Sequence, residues 1–332
     1  MVAPPRLEQA CPVQTGETGS DHVRTLTVTA VAAAAAAALA GCGNLTVGRH
    51  HADRSYTAPA GVTTLKVKTH GSRVEVTAAD VPSIKVSERL RWTNEKNKPK
   101  ALHSTEGNTL TLSSKCGTQV IGFSSCGVSY KVQVPRSTPV EVEDRDGAIV
   151  ATGLSGAVKL HSDNGSVRAT GLHASTASIT SNDGSLRISG HVTTANVRSA
   201  NGSVDATGLT ADTLTARSRD GRIKVSGRIT TADLGTANGS IDARGLTADR
   251  LTANTRDGGI ALGFDAPPAN VKAVTQNGSI RLRLPSGEGY AIEASASNGS
   301  KRIDSAVHQD SGSKRHIDLA TRDGGITVKP AD

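Results

Sequence analysis

The sequence predicts an all-β solenoid whose coils each take 18 or 19 residues. The first observation is a phrase that recurs seven times between residues 146 and 260, in which Asp-Gly or Asn-Gly is followed, one residue later, by Ile, Val or Leu. The second is the short run of alternating apolar and polar residues after each phrase, which is the period of a half-buried strand. A fixed period of this length is typical of solenoids, because stacked coils bury an apolar face that no single coil can bury.

The Asp-Gly and Asn-Gly pairs are predicted to be structural corners, since both tolerate the positive φ of a tight turn. Asp and Asn alternate from corner to corner, so the full repeat is a pair of coils 37 residues long. Alternation about doubles the distance between carboxylates on coils stacked roughly 4.8 Å apart, and it lets each Asn amide bond its neighbours. The predicted corner residues are Asp146, Gly147, Asn164, Gly165, Asp183, Gly184, Asn201, Gly202, Asp220, Gly221, Asn238, Gly239, Asp257 and Gly258.

The segment that begins at Asn164 shows how one coil is expected to run. Val167 and Ala169 share one face of a first strand, and Thr170-Gly171-Leu172 makes a second corner. A second alternating run, from Ala177 to Ser181, completes the coil. Each coil is therefore predicted to hold two strands of about five residues.

The outward positions of the first strand carry charges whose sign alternates for much of the repeat. Adjacent rungs of opposite charge can pair, and exposed pairs of this kind add little stability each. We therefore interpret the row as a solvated, self-paired face rather than as a ligand groove. Its members are Arg168, Arg187, Asp205, Lys224 and Asp242.

The N-terminus, residues 1–41, is predicted to be a signal peptide with an extension. Thr25 to Ala40 is an apolar run of 16 residues, too short for a confident membrane span, and it ends in small residues as a secretory signal does. Leu39-Ala40-Gly41-Cys42 resembles the lipobox of bacterial lipoproteins, which predicts cleavage before Cys42 and lipidation of its thiol. The extension is long for such a signal, and a start codon at Val23 would shorten it.

Three further segments are expected after the signal. Residues 42–60 are polar and are predicted to be a lipidated flexible tether, in which His50-His51 is read as solvated rather than metal-binding. Residues 61–145 form an irregular β region that supplies the first coils and the N-terminal cap. Residues 146–332 form the regular solenoid with looser C-terminal coils, and the last strands of the chain, 317–319 and 326–328, are taken as the last rungs.

Cys116 and Cys126 are predicted to form a disulfide. They lie ten residues apart, and in an oxidising compartment an isolated close pair favours that bond. The alternative is a metal site, but no Cys or His at the usual spacings would complete it. Cys11 falls in the part that processing removes.

Two features carry a family resemblance. Val132-Gln133-Val134-Pro135 leads directly towards the first corner at Asp146, and Gly-Ser corners are then interleaved with Thr-Gly-Leu. The chain from about Leu65 to Val328 resembles the toastrack-type β-strand-repeat family of bacterial envelope lipoproteins, also called the putative-adhesin family. The resemblance implies a right-handed parallel β-helix, with adhesion or envelope-stress sensing as its role and no catalytic motif.

The function expected from the sequence is that of a non-enzymatic, lipid-anchored surface protein of the bacterial cell envelope. Without residues 1–41 the chain carries 36 Lys and Arg against 27 Asp and Glu, which suits an anionic envelope, while the 2% of aromatic residues disfavours nucleic acid. The expected partners are the membrane, through the lipid, and an anionic cell-wall polymer or an envelope protein. A monomer without cofactor or metal is expected.

Two alternatives stay open from the residues alone. Parallel β-helices also host lyases and hydrolases that act on cell-wall or extracellular polysaccharide, and such an enzyme would need carboxylates that converge in one cleft. The Asp corners could also bind calcium, although the alternate Asn residues dilute the charge that an ion would need.

Overall fold

The structure is a computed structural model that describes residues 50–93, 95–117 and 126–331. The predicted signal peptide and the predicted lipidation site, Cys42, lie outside these ranges. Residues from Val47 onwards form one compact unit. Within the described ranges the chain forms 23 strands and one short 3₁₀ helix, Glu95–Asn97, and no helix there is long and apolar enough to cross a bilayer.

The strands are, in chain order, β1 (His50–Thr57), β2 (Thr64–Thr69), β3 (Val74–Ala79), β4 (Lys85–Trp92), β5 (Lys100–Glu106), β6 (Thr109–Lys115), β7 (Cys126–Pro135), β8 (Val140–Asp144), β9 (Ile149–Thr152), β10 (Val158–Ser162), β11 (Val167–Ser181), β12 (Leu186–Ser199), β13 (Val204–Arg217), β14 (Ile223–Gly235), β15 (Ile241–Thr247), β16 (Arg250–Asn254), β17 (Ile260–Phe264), β18 (Asn270–Thr275), β19 (Ile280–Leu284), β20 (Ala291–Ala296), β21 (Lys301–Ile303), β22 (His316–Thr321) and β23 (Ile326–Pro330).

These strands stack in parallel into two ladders, which confirms the predicted β-solenoid. The first ladder runs β7, β3, β9, the first halves of β11 to β14, then β15, β17, β19, β23 and β21. The second ladder runs β6, β2, β8, β10, the second halves of β11 to β14, then β16, β18, β22 and β20.

A continuous apolar core lies between the ladders, because the register places like residues above one another. Burying one Val, Leu or Ile side chain contributes about 1.5–3 kcal/mol, and each coil adds several such side chains to the same column. The first ladder contributes the buried column Ile149, Val167, Leu186, Val204, Ile223, Ile241, Ile260, Ile280 and Ile326.

The central coils differ from the prediction of two short strands per coil. Strands β11 to β14 are 13 to 15 residues long and continue around the second corner. A register irregularity sits at that corner, between Ala169 and Leu172 in β11, for example. There the left-handed conformation of Gly171, with φ of 61°, turns the chain without ending the ladder of hydrogen bonds.

At both ends of the solenoid the order in space differs from the order in the chain. The coil β22–β23 lies between β18–β19 and β20–β21, so the last strands of the chain form an interior layer and not the last rungs. The coil β2–β3 likewise lies between β6–β7 and β8–β9. Beyond the outermost N-terminal coil, β4, β1 and β5 add on as antiparallel strands.

The predicted tether is wrong from His50 onwards, because residues 50–57 form β1, which pairs antiparallel with β4. Ala52 and Tyr56 pack on the core, and the imidazole of His50 stacks on Trp92 with ring centroids 5.7 Å apart. Only two residues of this edge strand face the core, so its sequence lacks the alternation that identifies the other strands.

Candidate functional site

The glycines of the Asp-Gly and Asn-Gly corners are needed for close packing and not for positive φ. The second-corner glycines, such as Gly171 and Gly208, have positive φ, whereas none of the seven corner glycines does. A Cβ on Gly202 would lie 2.0 Å from the carbonyl oxygen of Gly184 on the coil before it. The corner backbones of successive coils therefore touch, and only glycine leaves room for the contact.

The Asn residue of each regular coil pair donates its side-chain amide to the Asp of the preceding corner. These pairs are Asn164 with Asp146, Asn201 with Asp183, Asn238 with Asp220 and Asn277 with Asp257. At some corners an arginine on the next coil adds further hydrogen bonds. Arg219, for example, donates to Asn201 Oδ1 and to the carboxylate of Asp220. The predicted bonding of Asn to its neighbours is confirmed, and the corners act as structural elements.

The reordered C-terminal coils keep the alternation of Asp and Asn in space. In the chain, Asn277 is followed by Asn298, which breaks the pattern, but Asp323 lies between them in the stack. Arg322 donates to Asn277 Oδ1 at 3.1 Å, and Asn298 donates to Asp323 at 2.7 Å. Alternation is therefore a property of the stack, which indicates that it stabilises the corner.

Asn164→Asp is expected to destabilise the protein by about 1 kcal/mol at low salt. The change replaces a donated hydrogen bond to Asp146 by a contact between two carboxylates. The matched change Asn201→Asp should cost less, because Arg219 already donates to the oxygen at that position. Thermal melts at low and high salt test this, and equal losses that ignore salt would contradict it.

A ladder of buried hydroxyl groups supports the corners, and the sequence analysis missed it. In the coil of Ser162, the hydroxyl accepts the amide of Gly165 at 2.9 Å and donates to the carbonyl of Gly147 at 3.3 Å. Seven further Ser or Thr side chains, each three residues before a corner glycine, donate in the same way to a glycine carbonyl of the neighbouring coil. The other members are Ser181, Ser199, Ser218, Thr236, Thr255, Thr275 and Thr321.

Asp144 takes the place of the hydroxyl where the regular coils meet β2–β3. Its side chain accepts the amide of Gly71 at 2.9 Å through Oδ1, but Oδ2 is buried without a hydrogen-bond partner. The hydroxyl of Thr69 faces this carboxyl group from the adjacent coil and is also buried. Burial raises the pKa of Asp144 above its ordinary value, although nearby amides and the Thr69 hydroxyl act to lower it. This carboxyl group interrupts the row of hydroxyl groups between Thr69 and Ser162.

The N-terminal end of the core is closed by a disulfide and a buried polar cluster. The predicted disulfide is confirmed: Cys116 and Cys126 join the end of β6 to the start of β7, with Cα atoms 5.9 Å apart. The carboxylate of Glu88, on β4, is buried and lies 2.5 Å from Nε2 of His103, on β5. The ring of Tyr56 stacks on the His103 ring. These partners come from three strands far apart in sequence, so no spacing rule could have predicted them.

The outward middle row of the first ladder, which we call the basic face, carries more positive than negative charge. In spatial order it consists of Lys131, Glu75, Val150, Arg168, Arg187, Asp205, Lys224, Asp242, Ala261, Arg281, Thr327 and Arg302. The row contains three acids and six cations, so the predicted self-pairing of charges holds only in part.

Each acid of the basic face has a cationic partner. Arg187 Nη2 lies 2.9 Å from Asp205, and Arg244, on the same strand as Asp242, bonds that carboxylate. Although burial raises the pKa of Asp205, hydrogen bonds from Thr207 and Arg187 hold it below its ordinary value. Hydrogen bonds from Arg244 likewise lower the pKa of Asp242, so both aspartates stay ionised at neutral pH. The cations of this row that form no ion pair within the described residues are Arg168, Lys224, Arg281 and Arg302.

A groove of about 590 Å³ lies beside the N-terminal end of the basic face. Asp53 in this groove bonds Arg89 at 2.9 Å, and that bond lowers the pKa of Asp53. Glu75 bonds Arg73, while the carboxylate of Glu88 is turned inwards. The charged residues that line the groove are Arg54, Arg73, Arg89, Arg91, Lys131, Asp53, Glu75 and Glu88.

The outward middle row of the second ladder carries three lysines and four acids, so this row has no excess of positive charge. Glu141 lies between Lys66 and Lys159, at 2.9 and 2.7 Å, inside a second groove of about 420 Å³. Hydrogen bonds from Lys159 and Lys66 lower the pKa of Glu141 to about 2. Further along, Lys272 pairs with Asp318 at 3.4 Å. Of the two outward middle rows, the basic face of the first ladder is therefore the one with an excess of positive charge.

Metal ligands do not cluster in the described part of the chain, where no group of three or more His, Cys, Asp or Glu residues could hold an ion. The corner carboxylates bond Asn and Arg side chains instead. His50 stacks on Trp92, and Lys98, from the loop after β4, lies 4.8 Å from the centre of the same ring.

The stacked coils, touching corners and paired ladders define a parallel β-solenoid of tandem repeats. A model of the family Toastrack DUF4097 matches the chain twice, over residues 62–231 and 191–329. The chain therefore belongs to the toastrack family, as the resemblance predicted. Comparison with curated proteins finds no match.

Several solved structures of low sequence identity are similar to this chain over most of its length. One, named a "putative adhesin", comes from Bacteroides fragilis NCTC 9343, with 15% identity, a TM-score of 0.41 and coverage of 85% of this chain and 97% of that one. A second of that name, from Parabacteroides distasonis ATCC 8503, has 11% identity, a TM-score of 0.44 and coverage of 84% and 97%. A "putative lipid binding protein" from the same strain has 12% identity, a TM-score of 0.37 and the same coverage.

Proposed function

We propose that this chain is a lipid-anchored protein of the bacterial cell envelope, which binds a partner outside the cytoplasm and does not act as a catalyst. Adhesion or a part in the response to envelope stress would be its physiological role. The observation that carries the proposal is the disulfide between Cys116 and Cys126, because such bonds persist in oxidising compartments. It agrees with the sequence Leu39-Ala40-Gly41-Cys42, from which an export signal and a lipid attachment site are predicted.

The architecture suits a binding role. Repeated coils present rows of side chains at a fixed spacing of about 4.8 Å, and a surface of this kind can contact an extended partner at many points. With β1 beginning at His50, seven residues separate Cys42 from the first strand. At no more than about 3.5 Å per residue, such a linker would hold the solenoid close to the membrane.

The alternative is a polysaccharide lyase or hydrolase, and the hydrolase would require a carboxyl group that stays protonated near neutral pH to act as general acid. Each of the two grooves contains a carboxylate with the opposite property, a lowered pKa. Lysines hold the pKa of Glu141 at about 2, and Arg89 lowers the pKa of Asp53. This observation favours binding over catalysis.

Cys42→Ser is expected to release the protein from the membrane fraction of its native host or to leave the precursor uncleaved, since the thiol is the predicted site of lipid attachment. Fractionation together with metabolic labelling by a fatty acid would measure both effects. The double variant Cys116→Ser/Cys126→Ser serves as the control, because it removes the disulfide without touching the lipobox and leaves no unpaired thiol behind. Unchanged labelling and membrane retention in the Cys42 variant would exclude the anchor.

A further inference from the structure

The basic face carries cations that form no ion pair within the described residues, at intervals along the solenoid axis. One of them, Lys224, lies between Asp205 and Asp242 in the row. Arg168 and Lys224 are three rungs apart, Lys224 and Arg281 again three, and Arg281 and Arg302 two. At about 4.8 Å per rung, the intervals are roughly 14, 14 and 10 Å.

The side chains between these cations leave space for a ligand backbone. From Lys224 towards Arg302, two of the intervening side chains in the row, Ala261 and Thr327, are short. The other intervening residues are Arg187, Asp205 and Asp242, and each of these two acids bonds an arginine. A second row adds Lys329, which is exposed on the strand that carries Thr327. The neighbouring carboxyl group, Asp304, accepts the amide of Ala306.

The groove beside β4 extends the same charge pattern to the N-terminal end. Of its five cations, Arg73, Arg89 and Lys131 pair with Glu75 or Asp53. Arg54 and Arg91 form no ion pair within the described residues, although Arg91 helps to lower the pKa of Asp53. Lys131, in the groove, is also the first member of the basic face.

We propose that the basic face binds a linear phosphodiester polymer lengthwise, with its phosphate groups on Arg168, Lys224, Arg281 and Arg302 and one end in the groove beside β4. This inference rests on the proposed location outside the cytoplasm and names the class of ligand that the surface takes. Arginine suits it because the guanidinium group can bond two phosphate oxygens at once.

The surface fits a polymer better than it fits a membrane. Proteins that lie on a bilayer insert large apolar side chains beside their cations. Among the described residues the one exposed large apolar side chain is Leu102, which lies on β5 and not on the first ladder. Single-stranded nucleic acid is disfavoured by the same face, which has no aromatic platform for its bases.

The test measures binding of the purified protein to poly(glycerol phosphate) over a series of salt concentrations. The double variant Arg281→Glu/Arg302→Glu should bind about tenfold more weakly at low salt, and the slope of log affinity against log salt should fall by about 0.7 per cation removed. The matched control, Arg198→Glu/Arg250→Glu, changes the net charge equally but lies on the second ladder, so its affinity should stay within about twofold of the parent. Both variants alter exposed residues, and their melting curves should match that of the parent.

Equal losses in the two variants, or binding that does not depend on salt, would overturn the proposal. Binding to phosphatidylglycerol vesicles without binding to the polymer would assign the face to the membrane instead. Neutral dextran serves as the uncharged comparison and should not bind. The Cys42→Ser fractionation is independent of these outcomes, so failure of the polymer site is distinguishable from failure of the lipid anchor.

Discussion

Gly202→Ala is expected to destabilise the protein by more than about 3 kcal/mol, the scale of a steric conflict that the surroundings cannot relieve. The added Cβ would lie 2.0 Å from the carbonyl oxygen of Gly184 and 2.9 Å from the hydroxyl of Ser199. The first neighbour is backbone held in the ladder, so relief requires two coils to separate. Urea unfolding followed by circular dichroism measures the loss.

Gly208→Ala is the matched control for the corner substitution. Gly208 has φ of 68°, and a Cβ there would meet nothing within 4 Å. Alanine at this position should therefore cost about 1–2 kcal/mol, from the left-handed backbone alone. If the two substitutions destabilise the protein equally, close contact is not the reason for glycine at the corners.

Asp144→Asn is expected to make the protein more stable than the parent at neutral pH and no more stable at pH 4. The folded state raises the pKa of Asp144, so it binds this proton more tightly than the unfolded chain does. The stabilisation is complete below the unfolded pKa of about 3.9 and is lost as the pH rises through the folded pKa. The parent therefore loses stability with rising pH relative to a variant that does not titrate.

The difference in unfolding free energy between variant and parent is expected to grow in favour of the variant as the pH rises from 4 to 8, because folding raises the pKa of Asp144. Asparagine keeps an oxygen for the Gly71 amide, and its nitrogen can donate where the hydroxyl ladder needs a donor. Asp144→Ser should show the same pH trend, although it loses the Gly71 bond. A difference that stays constant with pH, or that favours the parent as pH rises, would show that folding does not raise the pKa of Asp144.

The sequence predicts what is repeated, because a local contact that recurs leaves a period. Each coil repeats the corner and the inward column, and the disulfide follows from two nearby cysteines. The hydroxyl ladder left such a signal too, since a Ser or Thr stands three residues before each of the corner glycines from Gly165 to Gly258. It was missed because small polar residues on an inward face read as ordinary strand positions.

Features that join distant parts of the chain leave no period. The pair Glu88–His103 and the insertion of β2–β3 between later coils depend on which edges meet in three dimensions. The excess charge of the basic face was hidden for the same reason, because Arg281 and Arg302 are neighbours in the stack through a strand that follows both in the chain. One clue did exist: two successive Asn corners, Asn277 and Asn298, imply a missing Asp between them.

The interleaved ends bear on how the protein is made and how its family can change in length. During synthesis the outermost C-terminal strands, β20 and β21, leave the ribosome before β22 and β23, on which they must rest. That end therefore cannot close until the last strands have emerged. During evolution, whole coils can be gained or lost without disturbing their neighbours only where chain order and spatial order agree, which is between β8 and β19. We therefore expect related proteins of different length to differ in the middle of the solenoid and to keep both ends.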